Sequence, residues 1–460
     1  MSLKGTRREF LKYAGIATTG IVVASCAPKA TPTAPPAEKV AATQPPPKAP
    51  EEKIEIRYME RAGMLGDFMR YASRLYEERN PNITVKNEPA GWGDLADKVP
   101  TMVAAGTMAD LAFQHGAYML PTLAKKGAWL DLTPMADLDN HDFSIYYQWA
   151  LDTCRLGPKD ELVAMPMGVH NGQNELHWNV EMFERLGIDQ PHDQMTKQEW
   201  LEKMIKVQEQ LPEGSFTLDP GWGSHFNTEC HSRSWGGYIV GPERKKCGFD
   251  LPKTQEAHRW GYDLVSKYGL VPNREQVQEG AKAMFYAETM ATFLNCSANV
   301  WVGFKEAVED KFTLGHCVWP HGGGEGWGTV PSCDATVIYG KSKIPQEAWG
   351  LCAMLSSFEV SKWTAVSESH MTPGAVIEAW HDPEVWEACP PYKNCALGWD
   401  TLKPEQYGNL GVCYNTRRKE FDDHYESEWQ KIFYGEVEYT QAAVDKLQGE
   451  LQAIMDKPVP

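Results

Sequence analysis

Apolar and charged residues alternate from Ile54 through Tyr58 (Ile-Glu-Ile-Arg-Tyr), the period of two of a strand with one buried face. Its carboxyl end falls at Met59-Glu60-Arg61-Ala62-Gly63, and residues 65–79 read as the helix that follows. A turn at Asn80-Pro81-Asn82 leads to a strand at Ile83–Asn87. A loop carrying Gly91-Trp92-Gly93 comes next, then a helix from about Asp94 to Ala105 capped by Gly106-Thr107. A short apolar strand, Leu111–Phe113, and a helix ending at Gly127 continue the series. Strand and helix in alternation with short turns predict a parallel sheet wrapped by helices. Ligands bind such sheets outside the carboxyl ends of the strands. Glu60, Trp92 and His115 with Gly116 are therefore the first candidates for contact with a ligand.

Farther along, a helix is predicted from Asp142 to Cys154. A strand at Glu161–Met165 then runs into Pro166–Gly172, and a strand followed by a helix spans Glu175–Glu184. Residues 213–250 are rich in Gly, Trp and His and poor in helical periodicity, and they read as a long irregular, ligand-facing insertion. Between Gly435 and Met455, Ala443, Val444, Leu447, Leu451, Ile454 and Met455 recur at three- and four-residue spacing, which predicts a packed amphipathic helix.

Length and charge narrow the class. The chain's 460 residues are enough for two or three domains, and its formal charge is −17. The first 25 residues hold four basic side chains and one acidic, so the remaining chain carries −20. So acidic a body argues against nucleic-acid binding. Eleven cysteines are present; with Cys26 set aside, ten remain, an even number that permits disulfides, and Cys389 with Cys395 is the nearest local pair. Free buried thiols are the equal alternative.

The amino terminus reads as an address. Thr6-Arg7-Arg8-Glu9-Phe10-Leu11-Lys12 closely matches the twin-arginine export signal. The apolar run from Ala14 to Ala24 is too short for a mature membrane anchor. It ends in Val23-Ala24-Ser25-Cys26, which resembles the bacterial lipobox and makes Cys26 the expected lipidation site and mature amino terminus. Residues 26–52, dense in proline and alanine, cannot bury a core and read as an extended tether holding the domain off the membrane.

Motifs for chemistry are few. Gly340-Lys341-Ser342 fails as a phosphate loop because position 335 is Ala, and neither CxxC nor HExxH occurs. His225, Cys230 and His231 match no standard zinc spacing, and Asp137–Asp142 lacks the central Gly of a calcium loop. No catalytic residue, metal or cofactor is therefore assigned. Seventeen tryptophans are an excess with meaning, because sugar C–H faces stack on aromatic planes. Trp92, Trp235, Trp301, Trp319 and Trp327 fall in predicted loops, whereas Trp149, Trp200, Trp260 and Trp429 sit in helical patterns and read as core.

The run Asn80-Pro81-x-Ile83-x-Val85, Trp92-Gly93-Asp94, Lys98 and Ala104-Ala105-Gly106-Thr107-x-Ala109-Asp110-Leu111 resembles the extracellular solute-binding proteins of ABC importers, in the branch that mostly carries sugars. Ala109 stands where that family usually has Pro. The likeness continues through Glu175–Glu184 and Leu186-Gly187-Ile188, and through Phe285–Phe293, where Glu288 replaces a Gly. It implies a two-lobed, type II periplasmic-binding-protein-like α/β fold with three interlobe crossings, near Met165, Cys333–Thr336 and Met371. Lobe one is then 53–167 with 337–371, and lobe two 168–336 with 372–460. It also implies a monomeric, non-enzymatic component, held outside the cytoplasm by the lipid at Cys26, that delivers a sugar to membrane permease subunits. The contacts expected on a neutral oligosaccharide are Glu60, Trp92 and His115 from lobe one, with His170, Asn171, Trp235, Asn295, Trp301 and Trp327 from lobe two. A peptide or polyamine on the same fold is the rival, suited by Glu60, Glu229, Glu288 and Glu325. A secreted glycan hydrolase is the third reading; it needs two carboxylates about 5–9.5 Å apart.

Overall fold

The structure is a computed structural model that describes residues 53–115, 119–170, 175–193, 195–241, 243–277, 280–296, 300–308, 310–318, 332–367, 372–400 and 415–459. The described residues all fall within one compact unit, 52–460. The export segment, Cys26 and the tether lie outside the described residues.

Among the described residues eight strands, β1 (Ile54–Arg61), β2 (Ile83–Ala90), β3 (Leu111–His115), β4 (Met165–His170), β5 (Glu175–Asn179), β6 (Thr292–Cys296), β7 (Leu314–Val318) and β8 (Ser332–Ile338), form two sheets. The first has the order β2-β1-β3-β8-β4 and the second β6-β5-β7. As the alternation predicted, β1, β2 and β3 are parallel, with Ile54 opposite Ile83 and Tyr58 opposite Leu111. β8 enters antiparallel between β3 and β4. In the second sheet β6 and β7 both run antiparallel to β5.

Local sequence explains the elements. The helix Met64–Arg79 has Asp67 in its first turn and Arg79 in its last, matching the helix dipole. Its Phe68, Met69, Ala72 and Tyr76 form the buried stripe; each large apolar side chain so removed from water contributes about 1.5–3 kcal/mol. The helix Trp92–Ala105 stops at Gly106, whose φ of 71° is left-handed, a conformation that glycine adopts without strain.

Among the described residues, burial of these stripes builds three apolar clusters. The first collects residues from 56 to 169 and from 333 to 396, and the second residues from 176 to 317 and from 421 to 454. A small third cluster joins Phe285, Met290, Phe293, Phe304, Val308 and Phe312. The chain thus passes between the two main clusters three times: from β4 to β5, from β7 to β8, and between Ala396 and Phe421. The third passage falls after residue 396 and not near Met371, because Trp380, Val385, Tyr392 and Ala396 pack into the first cluster.

Other local differences have causes. The helix expected over 142–154 is a 3-10 turn, Phe143–Ile145, and a separate helix, Gln148–Cys154. The strand expected at Glu161–Met165 begins at Met165. Residues 213–250, expected to be irregular, contain the helix His225–Ser234, with eight of its residues buried. Its buried residues are mostly polar and find partners inside the fold, as Glu229 does with Arg233, so its sequence shows no apolar stripe. Cys389 and Cys395 are both buried, as is Cys230, and Cys154, Cys247, Cys317, Cys333 and Cys352 are buried free thiols. Cys389 caps the helix Pro383–Ala388 while Cys395 lies within the helix Pro391–Asp400.

Candidate functional site

The carboxyl ends of β1, β2 and β3 lie at one edge of the first sheet, and β8 begins at that edge. Arg61 is the last residue of β1. Its guanidinium carbon stands 4.6 Å from the centroid of Trp92, the first residue of the helix after β2. Trp92 meets the His115 ring edge-on at 5.4 Å, and Phe113 at 6.4 Å. His115 closes β3 directly opposite Asp334 of β8, and its Nε2 lies 4.0 Å from Asp334 Oδ1. Gly168 of β4 faces the same aspartate; a Cβ there would come within 3.2 Å of Asp334 Cβ. Glycine at that position leaves room for the carboxylate.

Two opposite charges therefore meet an aromatic ring and an imidazole in a half-buried setting. Burial lowers the Arg61 pKa, and the Asp334 carboxylate works against that shift. Arg61 Nε is buried and finds no acceptor among the described residues. A planar guanidinium over an indole is a stable stack, and it holds the remaining N–H donors fixed. Such a group can donate to ligand oxygens while Trp92 offers a flat apolar surface.

Sequence reasoning found Trp92 and His115, which the fold brings together, and missed Arg61 and Asp334. Glu60 takes a different place. One position before Arg61, it points to the other face of β1, where it is fully buried and paired with Arg70 of the helix Met64–Arg79. Burial raises its pKa, with Arg70 opposing. Trp301, from the helix Val300–Val308, packs against the first cluster although its helix neighbours Phe304 and Val308 belong to the third. Lys305 Nζ sits 5.0 Å from the Trp301 ring. Trp235 belongs to the second core. It is 5% exposed, faces Trp222 and Trp260, and carries Lys197 Nζ 3.9 Å from its ring. His170 ends β4 and Asn295 lies in β6; Asn171, Trp319 and Trp327 lie outside the described residues.

The acidic residues that suited a cationic ligand are engaged elsewhere. Glu229 is paired with Arg233 inside the second core, Glu60 with Arg70, and Glu288 accepts a hydrogen bond from Asn179; Glu325 lies outside the described residues. His225 binds Asp422 and His231 stacks on Trp222 at 3.8 Å, so both serve packing. Among the described residues no group of three or more His, Cys, Asp and Glu could hold a metal ion, and no helix is long and apolar enough to cross a membrane.

Two lobes with a charged, aromatic-lined edge at the strand ends define a binding protein of the two-lobed α/β class. Solved structures share this fold. An ABC substrate-binding protein from Listeria monocytogenes in complex with cycloalternan is 17% identical, covering 88% of this chain and 100% of its own, with a TM-score of 0.72. The sugar-binding protein MalE from Xanthomonas citri is 15% identical over 87% of this chain and 97% of its own, at 0.73. A cyclic α-maltosyl-1,6-maltose-binding protein from Arthrobacter globiformis is 16% identical over 88% and 99%, at 0.71. The family described as bacterial extracellular solute-binding protein matches residues 62–359. This chain belongs to that family.

Proposed function

We propose that this chain captures an oligosaccharide between its two lobes and delivers it to the permease subunits of an ABC importer, as a monomer tethered outside the cytoplasm by a lipid on Cys26. The observation that carries the sugar is the Arg61–Trp92 stack beside His115 and Asp334. A ring face suits a sugar's C–H surface, and paired donors and acceptors of opposite charge suit its hydroxyls. With Arg61 and Asp334 balancing one another, a neutral ligand is favoured over a polyamine. Three of the named structural relatives carry sugars or sugar-binding function in their descriptions, which supports the same class here.

Trp301 gives the reading its two-sided character. It stands on a lobe-two helix yet packs against the lobe-one core, so a ligand touching both Trp92 and Trp301 favours the arrangement in which the lobes face each other. His170, Asn171, Asn295 and Trp327 are further contacts in this proposal. The test is a thermal-shift panel of oligosaccharides, peptides and polyamines on the purified folded domain. A rise in melting temperature with a neutral oligosaccharide is expected; a rise with a polyamine or peptide and none with any sugar contradicts the assignment. For the tether, Cys26→Ala should release the protein or leave it unprocessed. Arg7→Lys with Arg8→Lys should keep it in the cytoplasm, and efficient export of that double variant would exclude the twin-arginine route.

A further inference from the structure

A cavity of about 670 Å3 lies between the helix Trp92–Ala105, the helix Leu120–Lys125 and the segment 416–423. That volume is within the range of about 300–1,000 Å3 usual for small-molecule pockets. Its floor is aliphatic: Leu95, Val99, Met119 and Leu123 are all buried. Charged residues of both signs, among them Asp97, Lys126, Lys419 and Asp423, line it as exposed side chains at its rim. Mixed signs give no net attraction for an ion. No aromatic ring is among the lining residues, so the cavity lacks the flat surface on which a sugar stacks.

Two buried polar side chains interrupt that floor: Arg418, which is paired with Asp422, and Gln114. Gln114, 1% exposed, lines the cavity. Its Nε2 donates to the Phe113 carbonyl at 2.7 Å, which fixes the amide. Its Oε1 is buried and finds no donor among the described residues, and a buried acceptor left unmet is costly. We propose that this cavity is a second binding site, for a neutral small molecule with an aliphatic body and a single hydroxyl or N–H that donates to Gln114 Oε1. The walls come from both main cores: Leu95, Val99 and Leu123 belong to the first, while residues 416–423 open the helix whose Phe421 belongs to the second. Thr122 Oγ1 already bridges them by donating to the Thr416 carbonyl at 2.7 Å. A guest touching both walls therefore favours the lobe arrangement seen here.

The probe is 1-octanol, which has an aliphatic chain and one donor but no sugar ring. Its binding is read on the Met119 methyl resonance of methyl-13C-methionine protein, with Met119→Leu used to assign the signal. We expect the Met119 signal to move saturably on addition of 1-octanol, and to stay still in Ala96→Trp, which fills the cavity from a half-buried position. Gln114→Leu removes the acceptor and should weaken 1-octanol binding roughly threefold to tenfold, the range for one neutral hydrogen bond. A Met119 signal that never moves, or that moves equally in Ala96→Trp, overturns the site. Unchanged affinity in Gln114→Leu overturns the role given to the amide. Neither result bears on sugar binding at Trp92, which the probe does not contact.

Discussion

Trp92 of the first lobe and Trp235 of the second are alike in sequence, each in a Gly-rich stretch, but their surroundings differ. Trp92 is half-buried, with Arg61 4.6 Å from its ring and a buried Arg61 N–H that has no acceptor among the described residues. Trp235 is closed in by Trp222 and Trp260, whose centroids lie 5.9 and 5.3 Å away, and these two rings are themselves 5.4 Å apart. An aromatic ring reports a ligand only where neighbouring polar groups are left to be satisfied. Where other rings and satisfied partners surround it, it reports a core. The second lobe's aromatic excess is mostly of that second kind.

The sharpest way to break this distinction is to cut into the second core. Trp429 is fully buried and donates its indole N–H to the Trp222 carbonyl at 2.7 Å. Trp429→Ala should cost about 3–5 kcal/mol in urea unfolding; a loss under about 1 kcal/mol would mean that the aromatic cluster is not a packed core.

Acid should also find the second lobe first. His258 donates Nδ1–H to the Thr254 carbonyl and accepts from Tyr425, and burial holds its pKa down at about 3. His177 is fully buried, and burial again lowers its pKa well below the usual value. Both stay neutral in the fold, whereas the unfolded chain takes up protons below about pH 6.5. The unfolded state then binds more protons, so stability falls as pH drops from about 6.5 towards 3, by about 1.4 kcal/mol per pH unit for each histidine. In the first lobe His141 is only partly buried and its pKa is lowered by the same cause. Melting temperatures between pH 7 and 4.5 check this; a flat profile contradicts it.

Smaller changes sharpen the comparison. Thr196 and Glu199 form a reciprocal capping box on the lobe-two helix Lys197–Gln208, so Thr196→Ala should cost about 1 kcal/mol in the same unfolding experiment. On lobe one, Arg79 pairs with Glu359 at 2.7 Å with both side chains about half exposed. Arg79→Ala should cost about 0.5 kcal/mol or less, and nothing measurable at high salt.

Much of the first lobe could be read in the sequence because its signals are local. Alternation gave β1, Asn80-Pro81 gave the turn before β2, and Gly106 gave the stop after the helix at 92–105. In the second lobe the structure places Gly187 and Thr196 at helix ends, with Gly187 left-handed after Val180–Leu186 and Thr196 capping Lys197–Gln208. The helix His225–Ser234 was hidden because polar side chains fill most of its buried positions, which leaves no apolar stripe to read. Half of the candidate site was visible. Trp92 and His115 follow strand ends, but Arg61 depends on β1 running three residues past Tyr58, which shifts the outward position from Glu60 to Arg61. Asp334 comes opposite His115 only through β8, paired across more than two hundred residues of chain. No local pattern encodes such a pairing.

The most direct test of ligand capture at Trp92 is a calorimetric titration of a stabilising oligosaccharide into the wild-type, Trp92→Ala and Trp235→Ala proteins, with each melting temperature recorded beside it. Trp92→Ala should lose about 1–3 kcal/mol of binding, roughly tenfold to a hundredfold, with its melting temperature little changed. Trp235→Ala should melt earlier yet bind as the wild type does. If Trp92→Ala binds undiminished, or if Trp235→Ala loses the sugar while keeping its stability, the two rings have been given each other's roles.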